Sequence, residues 1–254
     1  MYTIEREEKI LDILQSKGSI SVEELCRLLY VSPSTIRRDL GAMERKGLVR
    51  RTFGGVLLNP SPSGEETSFQ LRKQDNINQK RALCSKAAEF IQSNSTIFVD
   101  SSSTCLFLVP YLNQFHNLTL VTNGLFFANE AITKTSHKVI LPGGVIQPKS
   151  NSIVGTDTYR FIETIHCDRF FFSCSGIDFG FGLSESNLEQ SEIKRIMLAH
   201  SKLAVCLADE DKFGHIGLWK TCGVGEIDVL ISERPLAEAE AKFLEENEVR
   251  FVLA

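Results

Sequence analysis

A set of short loops made of serine, threonine, glycine and aspartate is the part of this sequence best suited to bind a ligand. Each loop follows a run of β-forming residues, and the five loops are residues 100–104, 122–124, 142–144, 173–178 and 208–214. In open α/β sheets ligands bind at the carboxyl ends of parallel strands, so we expect these loops to form one pocket. Serine- and glycine-rich loops are also common as simple turns, and Asp178 fits a turn position equally well.

Residues 101–104 have the composition of an anion site. Their hydroxyls and backbone amides would lie at the start of a helix, where aligned N–H groups and the helix dipole favour a phosphate. Lys212, in the last of the five loops, would add a compensating positive charge. The pattern predicts a site for a phosphorylated small molecule.

A second group of candidate functional residues is basic. Residues 32–58 contain only two acidic residues, Asp39 and Glu44, although the chain as a whole has a formal net charge of −4. The basic residues of this stretch are Arg37, Arg38, Arg45, Lys46, Arg50 and Arg51. A short cationic stretch in an acidic protein is the electrostatic footprint of a segment that binds nucleic acid.

The seven cysteines and five histidines do not suggest a bound metal. They are scattered, with no CxxC or HExxH spacing, and the odd cysteine number does not fit a disulfide framework. We therefore predict no metal and no cofactor, and we interpret most of the cysteines as small buried side chains in a reducing compartment.

Three helices are predicted before residue 46. In the first, Ile10, Ile13 and Leu14 share one face, and Lys17 followed by Gly18 forms a typical helix end. Residues 21–24 fit a capping box, in which a serine caps the helix and a glutamate three residues later reaches back. This box would begin a short second helix.

Ser32 followed by Pro33 predicts the start of a third helix. Its apolar residues Ile36, Leu40 and Met43 recur at helical spacing, so the polar residues near its N-terminus face solvent. Those on or beside the exposed face are Ser32, Ser34, Thr35, Arg37 and Arg38. Three short helices with a tight turn before the third are typical of a helix-turn-helix, whose third helix enters the major groove of DNA.

Residues 48–56 are predicted to form two short β segments, a wing in which Arg51 would contact DNA phosphates. Periodicity and capping alone leave open a helical protein-interaction module whose charges are merely solvated. A stretch of proline, serine and glycine at 59–64 then marks a domain boundary. We predict a winged helix-turn-helix domain at 1–58, a linker at 59–76 and an α/β domain at 77–254.

The second domain alternates β-rich runs with helical patterns, which predicts βαβ units and a mostly parallel sheet. The predicted strands are residues 96–99, 118–121, 138–141, 169–172, 203–207 and 228–231. The predicted helices include residues 80–91, 125–133 and 189–200. The fold class is therefore α/β, with a helical domain at the N-terminal end.

Both halves of the sequence resemble one family of bacterial repressors, the DeoR family. In the first half the resemblance is carried by residues 19–25, by Val31-Ser32-Pro33-Ser34-Thr35-Ile36-Arg37-Arg38-Asp39-Leu40, and by residues 47–55. In the second half it is carried by Val99-Asp100-Ser101-Ser102-Ser103-Thr104 and the segments 121–123, 141–155, 176–178, 189–194 and 208–214.

The resemblance implies a sensor domain similar in fold to ribose-phosphate isomerases that binds a phosphorylated sugar. It implies that Ser102, Ser103 and Thr104 lie on the phosphate loop. It also implies five further pocket positions, which are Asn123, Gly144, Asp178, Glu189 and Lys212. Gln190 stands where the family often has a glutamate, and Pro110 interrupts the helix after the loop.

These observations predict a DNA-binding repressor of a carbohydrate-utilisation operon, acting as a homo-oligomer on double-stranded operator DNA. The alternative is a sugar-phosphate isomerase-like enzyme with an accessory helix-turn-helix, in which Asp178 or Glu189 transfers protons. A purely structural or protein-binding role is a third reading. The first eight residues are acidic, unlike a secretory signal, and no apolar run is long enough to span a membrane, so we expect a cytoplasmic protein.

Overall fold

The computed structural model describes residues 3–45, 49–52, 55–58 and 69–254. The chain divides into two compact units, residues 1–67 and residues 68–254. No helix in these described ranges is long and apolar enough to cross a membrane.

The first unit is a winged helix-turn-helix. Its elements are α1 (Thr3–Lys17), β1 (Ser19–Ser21), α2 (Val22–Leu29), α3 (Pro33–Arg45), β2 (Val49–Thr52) and β3 (Gly55–Leu58). The three predicted helices and the two wing strands are confirmed. The strand β1 was not predicted: it pairs antiparallel with β3 and completes a sheet of order β1-β3-β2.

The start of α2 is capped only partly in the way that the sequence predicts. The Glu24 amide donates to Ser21 Oγ at 3.1 Å, so the serine caps α2 as predicted. The Glu24 carboxylate instead accepts a hydrogen bond from Lys17 Nζ at 2.6 Å, so the returning half of the capping box is replaced by an ion pair. The side chain of Lys17, at the end of α1, is long enough to reach this carboxylate.

The second unit begins with α4 (Phe69–Gln74), α5 (Ile77–Ala88), β4 (Thr96–Val99) and α6 (Val109–Leu112). The chain continues through β5 (Thr119–Thr122), α7 (Leu125–Lys134), β6 (Lys138–Ile140), β7 (Val145–Gln147), β8 (Ser152–Val154) and α8 (Thr156–Glu163). After these come β9 (Arg169–Phe172), β10 (Gly176–Asp178), β11 (Gly182–Glu185), α9 (Leu188–Ala199) and β12 (Ala204–Leu207). The last elements are β13 (Trp219–Cys222), β14 (Val229–Ser232), α10 (Glu238–Glu246) and β15 (Arg250–Leu253).

A parallel seven-stranded sheet of order β15-β14-β12-β9-β4-β5-β6 forms the centre of this unit. The six predicted strands are confirmed, shifted by one residue at some ends, and β15 is an additional edge strand. Alternate residues of each strand face opposite sides. Ile97, Val99 and Phe171 therefore contact a core under α5, α6 and α7, whereas Phe98, Phe170 and Phe172 contact a core under α8, α9 and α10.

The strand order reverses between β4 and β9. From this point β5 and β6 continue in one direction and β12, β14 and β15 in the other. The loops that follow the two central strands begin at Asp100 and Ser173. Open α/β sheets bind ligands in a crevice at the carboxyl ends of the strands where the order reverses, so this point is the candidate site.

Two predictions for this unit need correction. Residues 173–178 were expected to be one loop, but Gly176–Asp178 forms β10, which pairs with β11 in the antiparallel sheet β10-β11-β13. Residues 69–76 were assigned to the linker, but they contain α4, and Phe69 is buried against Phe126 with ring centroids 5.0 Å apart. An aromatic side chain at the end of a proline-rich segment thus joins the core of the second unit. Residues 59–68 lie outside the described part of the chain.

Candidate functional sites

The N-terminal end of α3 presents a polar surface. Ser32, Ser34, Arg37 and Arg38 are exposed and Thr35 is half-buried. Ser32 Oγ lies 3.0 Å from Ser34 Oγ and 3.0 Å from Thr35 Oγ1, so the three hydroxyls form one cluster beside the two arginines. Hydroxyl and guanidinium groups at this position of a helix-turn-helix can hydrogen-bond base edges and phosphates.

The buried face of α3 holds that surface in place. Ile36, Leu40 and Met43 are fully buried, as predicted. Asp39 is also buried and forms a two-point ion pair with Arg6 of α1, with Nε–Oδ2 at 2.5 Å and Nη2–Oδ1 at 3.0 Å. This pair was not predicted from the sequence, although Asp39 occupies the inward i+3 position counted from Ile36.

Arg51 lies in β2, the strand predicted for it. Its side chain falls outside the described part of the chain.

In the second unit, Asp100 connects the two strands at the crevice. Its Oδ1 accepts from the Ser102 amide at 3.0 Å and its Oδ2 from the Ser173 amide at 3.1 Å. Lys194 Nζ lies 3.1 Å from the same Oδ2 and also pairs with Glu185. Burial by itself lowers the pKa of Lys194, but the two carboxylates outweigh it and hold that pKa above its ordinary value. Lys194 is therefore a charged structural crosslink at the base of the crevice.

The residues of the predicted phosphate loop are largely buried and held by side chains from other elements. Ser101 Oγ donates to Gln190 Oε1 of α9 at 2.9 Å. Ser103 Oγ accepts from Lys80 Nζ of α5 at 3.2 Å, and the Thr104 carbonyl accepts from the Cys84 thiol at 3.2 Å. Ser102 is half-exposed, and its Oγ accepts from the Cys105 amide at 3.1 Å. The loop is consequently fixed before any ligand binds.

The helix after this loop is short and interrupted, as the presence of Pro110 in the sequence predicts. A 3₁₀ turn at Cys105–Leu108 is followed by the single turn of α6, in which Pro110 occupies an early position. A helix dipole requires a run of aligned peptide groups, which this short helix does not provide. The binding of an anion here therefore depends more on charged side chains than the sequence predicted.

Lys80 supplies such a charge and was not predicted as a site residue. It is 3% exposed, and its ammonium donates to the carbonyls of Arg72 and Asp75, the latter at 2.8 Å, as well as to Ser103. Burial, and to a smaller degree the nearby positive charge of Lys212, lowers the pKa of Lys80 to about 8, while Asp209 opposes this shift. Lys80, Lys212, Asp209 and Ser103 thus lie close together at the strand ends.

Asn123 lies at the end of β5, fully buried. Its Nδ2 donates to the Ile153 carbonyl at 3.3 Å, and the Ile153 amide donates to the Asn123 carbonyl at 2.8 Å. No hydrogen bond reaches Asn123 Oδ1 or Asp209 Oδ1 from any described residue, although both atoms are buried. A buried acceptor without a donor is costly, so both atoms are suited to accept from a ligand.

The remaining predicted pocket residues have local roles. Asp178 Oδ1 accepts from the amides of Gly180 at 2.9 Å and Phe181 at 2.7 Å, so this carboxylate stabilises the turn between β10 and β11. Gly144 has a φ of 152°, and a Cβ there would lie 2.1 Å from Thr158 Oγ1. Glu189 is half-buried in the first turn of α9. The contacts of these three residues do not include the loop at 101–104.

An open groove of about 450 Å³ lies between α8 and α9. Its lining residues are Thr156, Tyr159, Arg160, Glu163, Glu192, Arg195 and Ile196. None of them is a predicted site residue, so the candidate ligand site rests on the strand-end contacts and not on this groove.

Five residues described above were not predicted as site residues from the sequence, and they are Lys80, Asp100, Glu185, Lys194 and Asp209. Asp100 and Asp209 stood within the loops already singled out and could have been named. Lys80 and Lys194 stood within helical patterns, where a lysine is usually a solvated surface residue. Only their position relative to the strand ends distinguishes them.

A helix-turn-helix unit with exposed arginines and an α/β unit with a polar crevice together define a transcriptional regulator that carries a ligand sensor. The sequence profile of the DeoR-like helix-turn-helix domain matches residues 6–61, and that of the DeoR C terminal sensor domain matches residues 75–234. The chain belongs to the DeoR family.

Two regulators agree with this assignment. The HTH-type transcriptional regulator GolR of Listeria innocua is 36% identical over 94% of this chain and 94% of its own length. The glycerol-3-phosphate regulon repressor of Escherichia coli is 30% identical over all of both chains. A solved structure, ribose 5-phosphate isomerase from Plasmodium falciparum, aligns with 55% of this chain and 54% of its own at 15% identity and a TM-score of 0.39. Full-length similarity to regulators identifies the chain as a DNA-binding regulator and not as the enzyme considered above.

Proposed function

We propose that this protein represses a carbohydrate-utilisation operon and that a phosphorylated sugar bound at the crevice controls its affinity for the operator. The observation that carries the proposal is the presence of two kinds of group in or beside the loops that follow the strands. Lys80 and Lys212 offer positive charge to an anion, while Asn123 Oδ1 and Asp209 Oδ1 are buried acceptors without a donor in the described residues. A phosphate ester bearing hydroxyl groups satisfies both requirements.

On this proposal the phosphate binds at Ser102, Ser103 and Thr104, with Lys80 and Lys212 as its charge partners. The sugar hydroxyls donate to Asn123 and Asp209. Gly144, Asp178 and Glu189 form more distant parts of the pocket, through the loop and turn positions that they support. The Escherichia coli relative is a glycerol-3-phosphate regulon repressor, which supports both a phosphorylated polyol as the effector and repression as the function.

The contacts of Lys80 also give the effector a route to the rest of the protein. Its ammonium joins Ser103 of the predicted phosphate loop to the carbonyls of Arg72 and Asp75 at the end of α4. The helix α4 is the first described element after the linker. An anion that draws this ammonium toward the loop would weaken its bonds to α4, and the effector would thereby favour one conformation of α4 over another.

DNA recognition is assigned to α3 and the wing. The polar end of α3 contacts bases and phosphates in the major groove, and Arg51 contacts a phosphate. The α3 contacts are made by Ser32, Ser34, Thr35, Arg37 and Arg38. A single short recognition helix makes few base contacts, so we propose a homo-oligomer that binds two half-sites of a double-stranded operator in the cytoplasm.

Calorimetric titration tests the effector site. We expect a member of a panel of pentose and hexose phosphates to bind the full chain, and the matching free sugar to bind far more weakly. Ser103→Ala and Lys212→Ala should weaken binding, whereas Lys242→Ala, which removes an exposed lysine of α10, should not. If no phosphate ester binds, or if Ser103→Ala and Lys212→Ala both bind as the wild type does, the crevice is not the effector site.

Operator binding is tested separately. Arg37→Ala and Arg38→Ala should lose discrimination between an operator selected from a duplex library and random DNA. Arg51→Ala should weaken binding to all duplexes and lower the salt slope by about one unit per lost phosphate contact. Unchanged operator binding by the Arg37, Arg38 double variant would contradict the role of α3.

A further inference from the structure

Tyr30 has an unusual backbone conformation for an aromatic residue. It ends α2 with φ 55° and ψ 44°, in the left-handed region, and its amide donates to the Cys26 carbonyl. The other described non-glycine residues with positive φ are four asparagines and one glutamate. A helix end of this type favours glycine or asparagine, and a bulky residue there is disfavoured. The conformation therefore does not explain the tyrosine.

Packing does not explain it either. The side chain of Tyr30 is 94% exposed. No hydrogen bond or ring contact joins it to any residue that the structure describes. An exposed aromatic ring in a disfavoured conformation gives the folded unit no compensating burial. Local strain of this kind is typically retained where the side chain has a task outside the fold.

The surroundings of Tyr30 indicate what that task is. Tyr30 stands two residues before Ser32, the first of the clustered hydroxyls at the start of α3. On the other side, Arg27 lies three residues earlier in α2 and is exposed. Arg37 and Arg38 of α3 are also exposed, so both helices that the tyrosine connects carry exposed positive charge. Tyrosine hydroxyls between such groups commonly donate to DNA phosphates.

We propose that Tyr30 is a DNA-backbone contact, donating its phenolic O–H to a phosphate at the edge of the groove that α3 enters. The inference rests on DNA binding by the helix-turn-helix unit. The contact carries no base information, because phosphates are the same at every step. Its effect is to fix the position of the turn, and hence of the hydroxyl cluster that begins α3.

Two substitutions separate this role from a structural one. Tyr30→Phe removes only the hydroxyl, and Tyr30→Asn replaces the ring by a residue that suits the left-handed conformation. The full chain is titrated with a labelled duplex of arbitrary sequence and about 30 base pairs, roughly three helical turns. We expect both variants to bind about tenfold more weakly, the scale of one hydrogen bond to a charged group.

The salt slope and the thermal midpoint complete the test. Since phenol is neutral, its loss should leave the slope of log K against log salt unchanged, unlike the loss of Arg51. Tyr30→Asn should unfold at the same or a higher temperature than the wild type, so its weaker binding cannot come from a damaged fold. Tyr111→Phe, in the second unit, is the matched control and should bind as the wild type does.

If Tyr30→Phe binds the duplex as tightly as the wild type does, the hydroxyl does not contact a phosphate, whatever the affinity of Tyr30→Asn. Wild-type affinity of both variants shows that the turn does not touch DNA. If the wild type binds no duplex, DNA binding by this unit fails and the Tyr30 contact fails with it.

Discussion

Lys80 combines burial with three hydrogen-bond acceptors, two of them backbone carbonyls. Carbonyls carry partial charge only, so they do not offset the desolvation of an ammonium as a carboxylate would, and the pKa falls to about 8. Lys194 is buried as deeply but has Asp100 and Glu185 beside it, and its pKa moves the other way. The same residue type is thus fixed in its charge at one site and able to titrate near neutral pH at the other.

The first prediction follows from that difference. A bound anion favours the charged form of Lys80, so effector binding near pH 8.5 should take up a fraction of a proton, and affinity should fall as the pH rises above about 8. Calorimetry in two buffers of different ionisation enthalpy measures the uptake. Lys80→Met should abolish it, and Lys242→Ala should leave it unchanged. Equal uptake by the wild type and Lys80→Met would show that Lys80 does not respond to the ligand.

The lowered pKa of Lys80 also determines how the stability of the ligand-free protein changes with pH. Between about pH 8 and the ordinary lysine value of 10.5, the unfolded chain keeps a proton that the native chain has lost. The Lys80 contribution to the free energy of unfolding therefore rises with pH across this interval. A contribution of the opposite sign, measured as the difference between wild type and Lys80→Met, would contradict the lowered pKa.

Between elements, the ion pair of Arg6 and Asp39 joins α1 to α3 inside the first unit. Asp39→Ala would leave the buried guanidinium without this carboxylate, and we expect the free energy of unfolding to fall by about 3–5 kcal/mol. Asp12→Ala, at an exposed position of α1, should change it by less than about 0.5 kcal/mol. Urea denaturation followed by circular dichroism compares them, and similar losses in both variants would show that the pair is not structural.

The loop between β6 and β7 offers a second matched comparison. Gly144 has φ 152°, and a Cβ there would approach Thr158 Oγ1 to 2.1 Å and the Val154 carbonyl oxygen to 2.7 Å, whereas a Cβ on Gly143 meets nothing within 4 Å. Gly144→Ala should destabilise the protein by about 2–3 kcal/mol, and Gly143→Ala by less than about 0.5 kcal/mol. Thermal unfolding of the two variants is the measurement. Equal midpoints would show that backbone geometry does not select glycine at position 144.

The two units have separate cores, and the proposed switch depends on coupling between their functions. Because we propose a homo-oligomer, sedimentation should give a mass of at least twice the 28.4 kDa of one chain. Saturating effector should change operator affinity by about 5- to 150-fold, the usual range of coupling energies. Gel-shift titrations with and without effector measure this change. If the protein is a monomer and still binds a selected operator in preference to random DNA, the proposed oligomer is wrong.

The sequence by itself determined the elements whose signals are local. Helical spacing of Ile36, Leu40 and Met43 and the start signal at Ser32 defined α3, because an amphipathic helix repeats within two turns. Short β-rich runs defined six of the seven strands of the parallel sheet for the same reason. The polar loops after them could be placed at one edge, since parallel strands all end on the same side.

Only the tertiary structure decided which residues meet. The position of the strand-order reversal between β4 and β9 depends on pairings between segments more than 60 residues apart, as does the bond from Asp100 to the Ser173 amide. Lys80 and Lys194 look like surface charges in a helical pattern, and their burial follows from partners on other elements. Asp39 lies on the inward face of its helix, but its partner Arg6 is on another helix. A local pattern records which face of an element is apolar. It does not record which distant group will lie against that face, because that is settled by the packing of the whole core.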